Sequence, residues 1–149
     1  MGNIFLPKET YEEICIKKHD GTVLSKFSFN PSDANIVERY EEFVDGLGEL
    51  EKKIDDYEKQ SEKKSDYEKA KEMLKKINEF IYEKVDYLLN ENASKDIFNV
   101  MGPLSPLPSG DYYFTFIIEQ IGNKIQNATG SRVKKMEMKI KKHTSKYHG

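Results

Sequence analysis

Two short stretches near the start of the chain alternate between apolar and polar residues and predict a β-hairpin over residues 12–29. The first strand alternates around Ile14 and Ile16. In the second strand, every other side chain faces the same side: Val23, Ser25, Phe27 and Phe29. Between the strands, Asp20-Gly21 is a dipeptide that tolerates the positive φ of a tight hairpin turn.

Apolar residues then recur three or four positions apart, which is helical spacing. The first such run predicts an amphipathic helix over residues 31–46. We expect it to start at Asn30-Pro31, because Asn accepts a hydrogen bond from a free helix N–H and Pro has no N–H to leave unpaired. Gly46 and Gly48 weaken the pattern and indicate a bend or a break.

Two further helices are predicted at residues 47–61 and 66–91, joined by a polar turn into an antiparallel helical hairpin. Ser65 and Glu68 match the capping box at the start of the second helix, where each side chain satisfies the other residue's backbone donor. The apolar stripe fades around this turn, but neither Gly nor Pro interrupts it. A single helical rod of about 45 residues is therefore the alternative.

Three prolines force a loop over residues 102–110. Ser109 or Asp111 is then expected to cap a late helix over residues 111–129, which ends near Gly130. Its buried face comprises Phe114, Ile118, Ile121 and Ile125. Alternating aromatic residues at its start would also suit a strand, but the spacing of the isoleucines favours a helix.

Together these elements predict a mainly α protein with a small N-terminal β-hairpin (α+β), folded as a helical hairpin or bundle. Residues 1–130 are expected to form a single domain, followed by a basic tail at residues 131–149 with seven bases and one acid. Residues 38–92 carry eleven bases and seventeen acids. This difference in sign between the helical middle and the tail suggests contacts through surfaces and tails.

Composition narrows the class of protein. Charged residues make up 34 % and apolar residues 37 % of the 149 residues, whereas a typical domain has about 25 % and 45 %. Nine Tyr and eight Phe still suffice for a thin core, so a wholly disordered chain is not expected. A single cysteine, Cys15, excludes an internal disulfide framework and fits a reducing cytosol. Without a leader or an apolar run of ~18 residues, we expect neither export nor a membrane span.

The sequence holds no recognisable catalytic constellation, so we predict that the protein is not an enzyme and uses no cofactor. Cys15 lies in a predicted strand, where the expected role is that of a small buried hydrophobe. His143 and His148 lack the neighbours of a metal site, and no Gly-rich phosphate-binding loop occurs. Binding or assembly is therefore the better hypothesis.

The apolar stripes are interpreted first as core or helix–helix packing. A long hairpin often leaves an apolar seam that one domain cannot cover, so binding a partner helix or a second copy of the chain is the second interpretation. For a binding role, the candidates lie on the second long helix and the late helix: Leu74, Ile77, Ile81, Leu88, Phe114 and Ile118.

The basic tail contains five lysines that are candidates for electrostatic contacts: Lys134, Lys135, Lys139, Lys141 and Lys142. The alternatives are a solvated tail, an arm for an acidic protein, or a contact with nucleic acid or an anionic membrane. Residues 1–130 have a net charge of -8, which repels phosphate and argues against nucleic acid as a partner. A membrane partner is not expected either.

Residues 27–40 contain a distinctive segment. It runs Phe27-Ser28-Phe29-Asn30-Pro31-Ser32-Asp33-Ala34-Asn35 and continues with Glu38-Arg39-Tyr40. This segment resembles a motif in small tail assembly chaperones of siphophages and prophages of Gram-positive bacteria. In that family a short strand runs into an Asn-Pro-(Ser/Thr)-Asp helix start, and charged helices follow. The resemblance covers residues 14–45, and the order of the later elements is the same.

The resemblance implies a non-enzymatic role. Such chaperones coat the tape measure protein, a long and aggregation-prone helical rod, and keep it soluble while tail-tube subunits are recruited. The implied partners are thus the tape measure protein and the tail-tube protein, met in the cytoplasm of the bacterial host, and the chaperone is generally absent from the finished virion. We expect Asp33 and Arg39 to fix the start of the helix rather than to touch a partner.

Two other classes of function stay open on the sequence. A virion structural or connector protein would use the same apolar seam and remain in the particle. A small DNA-binding or regulatory protein would use residues 131–142, and its affinity would fall steeply with salt.

Overall fold

A β-hairpin followed by five helices makes up the part of the chain that the computed structural model describes, residues 1–63 and 67–131. A single 3-10 turn at Lys8–Thr10 precedes the hairpin. The strands are β1 (Glu12–Lys17) and β2 (Val23–Phe29). The helices are α1 (Ile36–Asp45), α2 (Leu47–Ser61), α3 (Tyr67–Leu89), α4 (Ser94–Phe98) and α5 (Tyr113–Thr129). The predicted fold class, mainly α with a small N-terminal hairpin, is confirmed.

The two strands pair antiparallel, as the alternation predicts. Gly21 at the tip has a φ of +93°, the left-handed conformation for which the Asp-Gly dipeptide is suited. Leu24 has no partner on β1, because the register shifts between Ile16 and Lys17. This bulge lies beside the hairpin turn, whereas Phe27 and Phe29 toward the open end of β2 are buried.

Cys15 is exposed, so the expectation of a buried cysteine is wrong. In β1 the core-facing positions are Ile14 and Ile16, which are half-buried. Because successive side chains of a strand point to opposite faces, Cys15 between them must point outward. The apolar character of a residue in a two-stranded sheet does not by itself decide which face it occupies.

Helix α1 begins at Ile36, five residues after the predicted start. Asn30 Oδ1 accepts a hydrogen bond from the Ser32 N–H at 3.0 Å, and Asp33 Oδ1 accepts one from the Asn35 N–H at 2.9 Å. Each side chain thus closes a local turn two residues ahead instead of capping a helix. The prediction of a helix over residues 31–46 is wrong for its first five positions.

The helical hairpin is confirmed, and the alternative of a single rod is wrong. Lys53 of α2 lies over the ring of Phe80 of α3, with Nζ 5.0 Å from the ring centroid. Leu47, earlier in α2, faces Lys84, later in α3, across a shared groove, so the two helices are antiparallel. Residues 64–66 of the connection, with Ser65 of the proposed capping box, lie outside the described residues.

Helix α5 begins at Tyr113 without a side-chain cap, so the prediction that Ser109 or Asp111 caps it is wrong. Those two side chains hydrogen-bond to each other at 3.1 Å. The first N–H groups of the helix instead reach back into the proline-rich loop. Tyr113 donates to the Ser105 carbonyl at 2.8 Å and Phe114 to the Pro103 carbonyl at 3.0 Å. Carbonyl groups of the loop thus accept the hydrogen bonds of the first N–H groups of α5, in the place of a capping side chain.

Helix α4 has no counterpart among the predicted elements. Its start is held by Asp86 of α3, whose carboxylate accepts hydrogen bonds from the N–H groups of Ala93 and Ser94 at 3.0 and 2.7 Å, and from the Ser94 hydroxyl at 2.9 Å. Between the two helices, Asn90 has a φ of +55°, which ends α3. Because this capping carboxylate lies eight residues before Ser94, on another helix, the sequence at the start of α4 shows no local capping motif.

A common core joins the hairpin to the helices. Its largest fully buried side chains come from β2, from helices α1, α3, α4 and α5 and from the proline-rich loop: Phe29, Ile36, Tyr40, Ile81, Val85, Leu88, Ile97, Pro103, Phe114, Ile118 and Ile125. The tyrosine at the start of α5 also ties that helix to α2, because the Tyr112 hydroxyl donates to the Glu58 carboxylate at 3.0 Å.

Helices α1 and α5 approach closely at Tyr40 and Gly122. A Cβ built on Gly122 would lie only 2.5 Å from Tyr40 Oη and 2.7 Å from Tyr40 Cζ. The Tyr40 hydroxyl donates to the Ile118 carbonyl at 3.4 Å, and burial, with the charge of Glu119, raises the pKa of Tyr40 to about 12. Any side chain at residue 122 would overlap the buried ring of Tyr40, so the close packing of the two helices requires a glycine at this position.

We expect Gly122→Ala to lower the free energy of unfolding by about 2–3 kcal/mol, because the added methyl overlaps a buried aromatic ring. Gly48→Ala is the matched control, since a Cβ at this exposed helical position has no atom within 4 Å. That change should be neutral or stabilise the protein by about 0.5 kcal/mol through helix propensity. Urea unfolding followed by circular dichroism measures both, and equal effects would contradict the close contact.

Candidate protein-binding site

The residues proposed from the sequence to bind a partner lie mostly inside the protein. Five of them are buried: Ile77, Ile81, Leu88, Phe114 and Ile118. Leu74 is half-buried. In this fold the five buried side chains hold the helices together and offer no face to a partner helix. The tail lysines Lys134, Lys135, Lys139, Lys141 and Lys142 lie outside the described residues.

An open groove lies where α1 and α2 meet in front of α3. It is shallow and open to solvent, with a free volume of about 90 Å³. Five apolar side chains line it: Phe80 is half-buried, and the buried side chains beneath are Phe43, Leu47, Leu50 and Ile81. Gly46, between α1 and α2, also lines the groove and contributes no side chain to fill it. The break that the two glycines predict is thus the place where the helices leave a gap.

Charged residues of both signs border the groove. Glu42 and Glu49 are exposed on the side of α1 and α2, and Lys84 is exposed on α3. Phe80 lies half-buried between two lysines, with the Nζ atoms of Lys53 and Lys84 at 5.0 and 5.3 Å from its ring centroid. The ring therefore has cationic neighbours on two sides, an arrangement that keeps an apolar wall beside solvated charge.

Tyr87 of α3 extends the apolar wall to the outer edge of the groove. Its side chain is 56 % exposed, although the ring lies beside the groove lining. The hydroxyl donates a hydrogen bond to the Glu42 carboxylate, and this bond, together with the negative charge of Glu42, raises the pKa of Tyr87. The bond holds an exposed aromatic ring in place, and the ring spans α1 and α3.

Arg39 lines one end of the groove and is fixed by two acceptors. Its Nη2 lies 3.0 Å from Asp33 Oδ2, and its Nε donates to the Leu88 carbonyl at 2.9 Å. Leu88 is in the last turn of α3, where helix carbonyls lack intrahelical partners and the helix dipole favours a cation. The guanidinium thus joins the turn before α1 to the end of α3.

A second apolar surface lies at the N-terminus, where Ile4 and Phe5 are 93 % and 87 % exposed. Helical or strand periodicity does not single out this segment, because it is only three consecutive apolar residues, Ile4 to Leu6, followed by Pro7. The run itself is nevertheless visible in the sequence. Consecutive exposed apolar residues are unusual outside binding surfaces, so the run indicates a candidate site of contact.

Within residues 1–63 and 67–131, no group of three or more His, Cys, Asp or Glu side chains is placed to hold a metal ion. None of the helices described there combines the length and the apolar character needed to cross a membrane. The groove and its charged border combine apolar contact with flanking groups capable of ion pairing.

We expect Arg39→Ala to lower the free energy of unfolding by about 2 kcal/mol, because it leaves Asp33 and the Leu88 carbonyl without their common donor. Arg39→Lys is the matched control, since an ammonium keeps the charge but lacks the planar fork that reaches both acceptors. Arg39→Lys should recover less than half of the free energy of unfolding that is lost in Arg39→Ala. Thermal unfolding of the three proteins measures this, and full recovery by lysine would contradict the two-acceptor clamp.

The Asp33 carboxylate predicts a pH dependence. The Asn35 N–H and the Arg39 guanidinium hold the pKa of Asp33 below its usual value of 3.8. A depressed pKa stabilises the fold above the ordinary value, and this stability is lost as pH falls through the lower folded value. Asp33→Asn should therefore be less stable at neutral pH, yet lose less stability than the parent protein between about pH 5 and about pH 2.

Urea titrations across that range, with Asp56→Asn as an exposed control for the same charge change, measure the effect. Parallel pH profiles for the parent and Asp33→Asn would contradict it.

Comparison of the chain with known proteins was made at three levels. Models of protein families, curated protein sequences and solved structures all give no match. The candidate function therefore depends on the groove, the charged border and the sequence motif described above.

Proposed function

We propose that this protein is a non-enzymatic tail assembly chaperone of a phage or prophage, which binds an amphipathic helix of the tape measure protein and helps to recruit tail-tube subunits. The proposal combines the resemblance of residues 27–40 with the open groove between α1, α2 and α3. The protein would act in the cytoplasm of the bacterial host and leave before the virion is complete.

The groove carries this proposal. An amphipathic helix binds a groove by burying one apolar face while its flanking charges stay in water. Phe80 and Tyr87 provide the accessible apolar contacts, and acidic and basic groups both border the groove. A partner helix with basic residues on one flank and acidic residues on the other would meet Glu49 on one side and Lys84 on the other.

The mixed border also suits a chaperone. The exposed apolar area is limited by the charged rim, so the free protein has a small aggregation-prone surface. Ion pairs at a solvent-exposed rim contribute little net affinity and are screened by salt. Binding would therefore be reversible, as a factor that leaves the assembled tail requires.

The test is co-expression with a candidate tape measure protein, a long and helix-rich chain, followed by pull-down. We expect the rod to be insoluble alone and soluble in complex. Tyr87→Asp should weaken the complex about tenfold, because it places a charge on the aromatic edge of the groove. Tyr67→Asp is the matched control, since it changes an exposed tyrosine of the same helix outside the groove lining and should bind like the parent protein.

Three results would contradict the proposal. A rod that stays insoluble and does not co-purify would exclude the chaperone function. Equal binding by the Tyr87 and Tyr67 variants would exclude the groove as the binding site. Recovery of the protein in stoichiometric amounts from purified virions would instead favour a structural or connector protein.

A further inference from the structure

We propose that the open edge of β1 binds β1 of a second copy of this chain, antiparallel and about a twofold axis at Cys15. The two hairpins would then form one continuous four-stranded sheet. This inference is independent of the proposed function, because no residue of β1 lines the groove.

The two edges of the small sheet are not equivalent. Helix α4 packs against β2, where the Ser25 hydroxyl, on the core-facing side of the strand, donates to the Asp96 carbonyl at 2.7 Å. On the side of β1, no strand within residues 1–63 and 67–131 pairs with it, since the sheet there has the order β1-β2. An uncovered strand edge presents a row of backbone donors and acceptors to another chain.

The hydrogen bonds of the hairpin determine which backbone groups face that edge. The Lys18 N–H donates to the Thr22 carbonyl at 2.9 Å, so the backbone groups of Lys18 point toward β2. Because successive residues of a strand direct these groups to opposite sides, those of Glu13, Cys15 and Lys17 point to the open edge. In an antiparallel pair, directly opposite residues share this orientation, so these residues must pair among themselves.

One such register is complementary in charge and shape. With Cys15 opposite Cys15, Glu13 lies opposite Lys17 on the exposed face, and this pair occurs twice by symmetry. On the other face, Ile14 lies opposite Ile16. Glu12 lies opposite Lys18, which is already at the turn. The sequence Glu-Glu-Ile-Cys-Ile-Lys-Lys is thus its own partner when reversed.

The order of the charges distinguishes this edge from one that is protected against pairing. Protected edge strands commonly carry charges of one sign, often lysines, which repel a second copy of the strand. Here the acids occupy the first half of β1 and the bases the second half, so antiparallel association is attractive and parallel association places Glu against Glu. The intrachain pair of Glu13 with Lys26 is long, at 3.9 Å, and both side chains are more than half exposed, so Glu13 is accessible to a partner.

Cross-linking through Cys15 tests the axis, because it is the single cysteine of the chain and is exposed. Opposite residues in an antiparallel pair have Cα atoms about 5.5 Å apart, so a short bis-maleimide should convert the full chain to a covalent dimer. In the control Cys15→Ser/His19→Cys, the two thiols would be eight residues apart along the pair, about 26 Å, and should not cross-link.

Charge reversal tests the register. Glu13→Lys and Lys17→Glu should each weaken dimerisation about tenfold or more, since each creates two like-charge pairs. The double variant Glu13→Lys/Lys17→Glu should dimerise like the parent protein. A mixture of the two single variants should form mixed dimers, because each copy then supplies the charge that the other needs. Sedimentation velocity measures the mass against the 17.4 kDa of one chain.

Either of two outcomes overturns the proposal. The first is a protein that sediments as a monomer and resists cross-linking at every concentration. The second is a dimer in which the single reversals have no effect or the double reversal gives no rescue, with circular dichroism showing that each variant is folded. The Tyr87 variant, which changes the groove, should still dimerise, so failure of the chaperone proposal and failure of this one give different results.

Discussion

The guanidinium of Arg39 connects the parts of the chain on which the groove depends. It binds the carboxylate of Asp33 in the turn that follows the hairpin and the Leu88 carbonyl at the end of α3. Both charged side chains are mostly buried, at 13 % and 26 % exposure, so solvent screens this interaction less than a surface ion pair. This interaction sets the direction of α1 relative to α3. The groove is the space that remains in front of α3 where α1 ends and α2 begins, at Gly46.

The helix ends are satisfied largely by groups from elsewhere in the chain. Asp86 accepts the first donors of α4, and carbonyls of Pro103 and Ser105 accept those of α5. Such bonds form only when the helices are already packed, so they couple the ends of the helices to the core. The fold gains stability from this coupling, because the starts of α4 and α5 are held by groups outside each helix.

The two surfaces that we assign to binding use different chemistry on different elements. The groove offers aromatic and aliphatic walls with a charged border, which suits a helix. The edge of β1 offers backbone hydrogen bonds and a self-complementary order of charges, which suits an identical strand. Since the groove and β1 share no residues, a dimer formed through β1 would present two grooves, and two weak sites joined in this way bind a long rod more tightly than either site alone.

The sequence by itself determined the elements whose signals are local. Periodicity located the hairpin, the two long helices and the late helix, Asp-Gly located the hairpin turn, and Gly130 ended α5, because propensity and spacing act over a few residues. Only the tertiary structure decided the existence of α4 and the caps of α5, since their partners lie outside the helix itself, seven to eleven residues away. The start of α1 depended on a choice between two local uses of Asn30 and Asp33, as helix caps or as turn closures, and the structure decided for the turns. The first interpretation of the apolar stripes, as core packing, is confirmed for Ile77, Ile81 and Phe114, whereas their second interpretation as a binding face needed the structure to be tested. An amphipathic pattern shows that one face must be covered, whereas what covers it depends on which other elements pack there.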